Sequence, residues 1–216
     1  MALSKPYEVK IWTSSHGTDY HHFPSNLFKA FSENTHPQKN ELIQIPLVNA
    51  IPGRQTKDVF VREVTQDFEN IPPNAKRINI ILMGDNDVRN NDYVGACRVE
   101  QNIGKLIELH KNSRHGLIVC GLLPSPATWR NTHSLFQRVS SRLFKQVNIA
   151  NSNSLGKKIA FLKTIQIFLD EKGFIDGLKF FERDLIHLNS TGAFHLACHL
   201  VNNTVSIAES FSQHQN

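Results

Sequence analysis

Short apolar, β-branched runs alternate with longer stretches of helical period along this chain, and that alternation leaves few ways to fold. Val9–Thr13, Glu41–Leu47, Arg77–Met83 and Gly116–Leu123 read as strands, with Lys158–Lys163 as a weaker fifth. Between them Asn26–Glu33, Asp58–Glu69, Tyr93–Lys111 and Thr132–Val147 read as helices, and Ser190–Ala208 closes the chain as another. In the Tyr93 stretch, behind Asp92 as N-cap, Val94, Cys97, Ile103, Leu106, Ile107 and Leu109 recur at roughly helical intervals. Strands alternating with helices predict an α/β fold, a parallel sheet covered on both faces. No repeat or low-complexity linker interrupts the pattern, and the loop predicted at Asn151–Ser154 is too short to separate domains, so residues 1–216 read as one domain.

Charge is unevenly placed. The chain has 24 Lys and Arg against 19 Asp and Glu, a net +5, yet no acid stands between Leu109 and Leu169. Lys111, Arg114, Arg130, Arg138, Arg142, Lys145, Lys157, Lys158 and Lys163 all fall there. Such a stretch suits a phosphate-bearing partner, RNA or a phospholipid surface, or else a solvated helical face. Cys97, Cys120 and Cys198 lack metal or redox spacing and read as reduced thiols. The first residues contain no apolar leader and no run is long enough to span a bilayer, so the expected location is the cytoplasm, without a transmembrane segment.

In an open parallel sheet the ligand crevice lies beyond the carboxyl ends of the strands. The residues there are Ser14-Ser15-His16-Gly17, Val48 to Arg54, Gly84-Asp85-Asn86-Asp87 and Pro124-Ser125-Pro126, and Asp184-Leu185-Ile186-His187 precedes the last helix. Together they offer the parts of acyl transfer through a serine. Ser15 is the candidate nucleophile, His187 its base and Asp184 the group that orients the imidazole. The N–H of Ser15, the N–H of Gly53 and the side-chain amide of Asn86 are candidate oxyanion donors. Gly53 is assigned on the ground that a residue without Cβ brings its N–H closest. Each piece has a plainer reading: Gly84 to Asp87 as a turn, Asp184 as a helix cap, Pro52-Gly53 as a type II turn.

Ser, Gly, Asn and then His with a preceding Asp, in this order and each at a strand end, resemble the blocks of the SGNH hydrolases, also called the GDSL esterase/lipase family. Gly84-Asp85-Asn86-Asp87 looks like the family's G-x-N-D block, and Asp184 to His187 like its D-x-x-H block. The resemblance implies a three-layer α/β/α sandwich on a flavodoxin-like five-stranded parallel sheet. It also implies esterase activity on an acyl or acetyl ester through an acyl-enzyme, with no cofactor and no metal. The first block departs from the pattern, having Thr13-Ser14-Ser15 where Gly-Asp-Ser is usual, and Ser14 is the alternative nucleophile. With the following His16-Gly17 it resembles esterase domains of some non-LTR retrotransposon proteins. The family also includes the OSK domain of Oskar, which lacks the triad and binds RNA, so a catalytically silent, RNA-binding domain is the alternative function. The basic stretch mildly favours anionic or lipid substrates.

Other signals have plainer accounts. His195 and His199 are spaced as a zinc pair on a helix, but Leu196 replaces the glutamate of the HExxH motif, so a structural role is expected. His21-His22 read as loop residues. Phe174, Leu178, Phe180 and Phe181 are expected to anchor the loop before Asp184. Trp129-Arg130 reads as a surface loop or a cation–π clamp. No glycine-rich phosphate cradle follows any strand, which leaves dinucleotide and nucleoside triphosphate binding unsupported.

Overall fold

A computed structural model describes residues 6–15, 23–33, 43–44, 46–152 and 158–213. Among them, five strands form one parallel sheet: β1 (Glu8–Thr13), β2 (Leu47–Ala50), β3 (Arg77–Leu82), β4 (Gly116–Cys120) and β5 (Ile159–Leu162), in the order β2-β1-β3-β4-β5. Thr13 pairs with both Ala50 and Leu82, so the first three strands end level. The longer helices are α1 (Phe23–Glu33), α2 (Asp58–Glu69), α3 (Tyr93–Lys111), α4 (Trp129–Ser152) and α5 (Ser190–Gln213). Single turns lie at Asp85–Val88, Thr164–Ile167 and Gly177–Phe180.

Side chains alternate across the sheet because successive Cβ atoms of a strand point to opposite faces. Val9, Ile11, Ile78, Ile80, Leu82, Ile118 and Cys120 meet Leu27 of α1 and Leu196 and Leu200 of α5. Trp12, Ile81, Leu117 and Val119 meet Phe60 of α2, Val99 and Ile103 of α3, and Phe136 and Val139 of α4. Each such side chain removed from water contributes roughly 1.5–3 kcal/mol. The second face also carries a polar insertion. The Trp12 indole donates to Asn79 Oδ1 at 3.4 Å, and the Asn79 amide lies 3.0 Å from His110 Nε2. His110 Nδ1 in turn lies 2.8 Å from the Leu106 carbonyl. Burial lowers the His110 imidazole to about 4, so the ring is neutral, with Nδ1–H donating to Leu106 and Nε2 accepting from Asn79.

The structure corrects several boundaries. The second strand is Leu47–Ala50, not Glu41–Leu47; within the earlier run Ile43 makes a single bridge to Tyr7, and Glu41, Leu42 and Ile45 lie outside the described residues. Pro46 has no N–H for a ladder, and β2 is an edge strand whose Leu47 is exposed. β4 ends at Cys120; Gly121 still donates its N–H to the Leu162 carbonyl of β5 at 2.8 Å, and Leu122 and Leu123 are buried beyond the strand. In α3 the core face is Ala96, Val99, Ile103, Leu106 and Ile107, while Val94 is exposed and Cys97 and Leu109 sit at the margin. Asp92 stands at the N-cap position, but its side chain makes no cap bond and pairs with Arg98 at 3.9 Å. Trp129, Arg130, Asn151 and Ser152, expected in loops, belong to α4; Asn153 and Ser154 lie outside the described residues.

Candidate active site

The chain leaves β1 between β2 on one side and β3 on the other, the point where the strand order reverses. Ser14 and Ser15 are the first residues past the sheet there, and their surroundings differ. Ser14 is buried, and its Oγ donates to Asp85 Oδ1 at 3.4 Å. Ser15 is half-buried, with Oγ 3.1 Å from His187 Nε2.

On the other side of the imidazole, His187 Nδ1 lies 2.6 Å from Asp184 Oδ2. Asp184 Oδ1 accepts the N–H of Ile186 at 2.8 Å and of His187 at 3.0 Å. Burial alone would raise the Asp184 carboxyl, but the N–H and imidazole of His187 and the N–H of Ile186 outweigh it and hold the group at about 2. An ionised carboxylate only accepts, so Nδ1 carries the imidazole proton. Nε2 of the neutral ring is then the acceptor facing the Ser15 hydroxyl.

The two remaining sequence candidates sit on loops joined to each other. Asn86 lies in the single turn after β3, and its Nδ2 donates to the Arg54 carbonyl at 3.2 Å, while Gln55 Nε2 donates to the Asn86 carbonyl at 3.2 Å. A primary amide has two N–H groups, so that bond leaves one for a ligand. Gly53 has φ +69° in a turn closed by the Arg54 N–H on the Ile51 carbonyl at 3.1 Å, the type II geometry. A Cβ built on Gly53 would meet nothing within 4 Å. That left-handed backbone is one glycine adopts without steric cost.

Two residues without an assigned role in the sequence reading hold these loops. Arg54 is buried, donates to Asn49 Oδ1 at 2.9 Å, pairs with Glu63, and lies over the Trp12 and Phe60 rings at 5.8 and 5.5 Å. Asp87 accepts the Thr56 N–H at 2.9 Å and Arg98 Nε at 3.1 Å with its side chain wholly buried, and that burial raises its carboxyl. The carboxylate thus pins the loop after β2 to the turn after β3. α3 comes close enough that a Cβ on Gly95 would stand 1.9 Å from the Asp87 carbonyl oxygen. Asp87 was visible as the last residue of its block; Arg54 had only its place beside Gly53 to signal it.

Other candidates lie elsewhere. His16, Gly17, His21 and His22 fall outside the described residues. His195 Nε2 lies 3.1 Å from the Ile167 carbonyl, and its ring packs edge-on to His199 at 5.1 Å. Among the described residues no cluster of three or more His, Cys, Asp or Glu is placed to hold a metal. Cys97, Cys120 and Cys198 are free. Phe180 and Phe181 are buried against Phe168, as expected of an anchor, but Phe174 and Leu178 are 67% and 92% exposed and anchor nothing. Trp129 packs its ring on His133 and Phe136.

The basic stretch divides. Arg138 and Arg142 pair with Glu100 and Lys111 with Glu108. Arg114 donates to the Pro72 carbonyl and Lys158 to that of Ser113, before β4 and β5, while Lys163 follows β5 at the opposite, carboxyl end of the strands. Lys157 lies outside the described residues. No helix of the described residues is long and apolar enough to cross a membrane.

No protein-family profile and no curated protein matches the chain. Solved structures do. A protein assigned as an acylhydrolase from Bacteroides fragilis superposes with a TM-score of 0.68 at 17% identity, over 96% of this chain and 92% of that one. A GDSL-like lipase from Bacteroides thetaiotaomicron gives 0.63 at 18% identity, over 92% and 88%. The chain has the SGNH hydrolase fold. An acetylxylan esterase from Geobacillus stearothermophilus shares that fold with a TM-score of 0.63 at 16% identity, over 94% and 96%. At such identities the likeness establishes the SGNH architecture, and the likeness of the first block to retrotransposon-type domains gains no support from it.

Proposed function

We propose that this chain is a serine esterase acting on a carboxylic ester. One observation carries the reading: Ser15, His187 and Asp184 stand in a hydrogen-bonded series at the switch point of a parallel sheet. In the reaction Ser15 Oγ attacks the carbonyl carbon while its proton passes to His187 Nε2. The imidazolium is stabilised by the ionised Asp184, and the oxyanion is held by the N–H of Ser15, the N–H of Gly53 and the Asn86 amide. Collapse expels the alcohol, which takes the proton from Nε2. Water, deprotonated by the same nitrogen, then attacks the acyl-enzyme, releasing the acid and restoring Ser15. No metal or cofactor enters this scheme.

Labelling with a fluorophosphonate tests nucleophile, base and oxyanion donors together, because the probe forms a covalent bond to an activated serine. The expected result is modification of Ser15, absent in Ser15→Ala and in His187→Ala. A folded sample that stays unlabelled overturns the reading.

A further inference from the structure

Leu185, between Asp184 and His187, has φ +55°, the left-handed region that a branched side chain rarely enters. Something outside the turn has to hold it there. The Leu185 carbonyl accepts two hydrogen bonds from the segment after β4: from Ser125 Oγ at 3.0 Å and from the Ala127 N–H at 3.1 Å. Ser125 itself is buried. The Leu185 side chain and Pro126 also close on Gly177, where an added Cβ would lie 3.3 Å from each. Within the turn, Leu185 N–H donates to the Glu182 carbonyl at 2.9 Å and Glu182 N–H to the His187 carbonyl at 2.8 Å. The carbonyl gripped by Ser125 shares its peptide plane with the Ile186 N–H, which donates to Asp184 Oδ1, and the His187 N–H follows one residue later onto the same oxygen.

We propose that Ser125, acting with the Ala127 N–H on the Leu185 carbonyl, is a positioning residue that locks the Asp184–His187 pair in its hydrogen-bonded arrangement. The catalytic consequence rests on the esterase reading above; the conformational claim stands apart from it. Ser125 touches neither Ser15 nor the reacting atoms in this scheme. Its hydroxyl acts through a strained turn.

The test compares full-length wild type, Ser125→Ala, Leu185→Gly and the double variant by two readouts. One is the Asp184 titration midpoint, followed by carboxyl carbon NMR; the other is the rate of Ser15 labelling by a fluorophosphonate. Ser125→Ala is expected to raise the Asp184 midpoint from about 2 toward the ordinary 3.8, as the Ile186 and His187 donors drift away. Labelling should slow about tenfold, the size expected of a sub-ångström misplacement of a base. Glycine adopts a positive φ without steric penalty, so Leu185→Gly in the Ser125→Ala background should return both readouts most of the way. An Asp184 midpoint unchanged in Ser125→Ala, or not recovered in the double variant, overturns the proposal. Should Ser125→Ala not fold, Ser125→Cys keeps the size with a much weaker donor and carries the same comparison. If wild type does not label, the esterase reading falls while the midpoint still decides the clamp.

Discussion

Lowering the pH from 7 to 5 tests whether His110 is held neutral inside the second core face. Its imidazole is pushed down from 6.5 to about 4 by burial, so the unfolded chain takes up a proton well before the folded one does. A depressed folded value means stability fully present above the unfolded value and lost progressively as pH falls toward the folded one. The difference of about 2.5 pH units corresponds to about 3 kcal/mol in full, of which about 2 kcal/mol is lost between pH 7 and 5. His115, also lowered to about 4 by burial and by Arg114 and Arg77, works in the same direction, whereas Asp87, raised by burial, works against both. Subtracting a variant isolates the one group: urea unfolding of wild type and His110→Gln at both pH values should give a wild-type loss about 2 kcal/mol larger than that of the variant. Equal losses in the two proteins would refute a neutral His110, and with it the tautomer assigned from Asn79 and the Leu106 carbonyl.

Three further outcomes follow from distances already given. Asn86→Ala should lower kcat about 100-fold with little change in KM, since a single oxyanion donor acts only on the charge of the transition state; steady-state kinetics on an activated ester would expose an unchanged turnover. Gly95→Ala, which in an ordinary helix interior gains about 1 kcal/mol, should instead lower stability by about 2 kcal/mol, because the added carbon meets the Asp87 carbonyl oxygen at 1.9 Å; denaturant melts showing a more stable variant would contradict that close approach. Because Asp184 is held at about 2, the acid limb of log kcat/KM should fall with a slope of one down to about pH 4. A slope of two over that range would place a second proton on the pair.

What could be read from sequence follows burial. β1, β3 and β4 lie inside the sheet and are rich in buried β-branched residues (Val9 and Ile11, Ile78, Ile80 and Ile81, Ile118 and Val119), so their runs stand out; β2, an edge strand with Asn49 in the middle of its ladder, does not. Ser15, Asn86 and His187 were legible as candidates because parallel strands deliver all their carboxyl ends to one side, and the structure sets Ser15, His187 and Asp184 in one series there. Strand position alone did not part Ser14 from Ser15, since both hydroxyls follow the same strand; the burial of Ser14 against Asp85 and the approach of Ser15 to His187 do. Nor were the contacts of Arg54 with Glu63 or of Ser125 with Leu185: loop-to-loop pairs leave no periodicity for a sequence reading to find. Phe174 and Leu178 fail for the converse reason, their apolar character being spent at the surface.

The separation of Ser15 from His187 by 172 positions has a temporal side. At a synthesis rate of about 5–20 residues per second, roughly 10–30 s pass between the appearance of the hydroxyl and of the imidazole it faces. In that interval β1 can pair with β2 and β3, but its exit point has no partner from the far end of the chain, and α1 still lacks the helix that buries its apolar side. Ser15 and His187 can meet only once the segment before α5 has been made. The hydrogen bond between Ser15 and His187 is thus among the last tertiary contacts that a nascent chain of this topology can form.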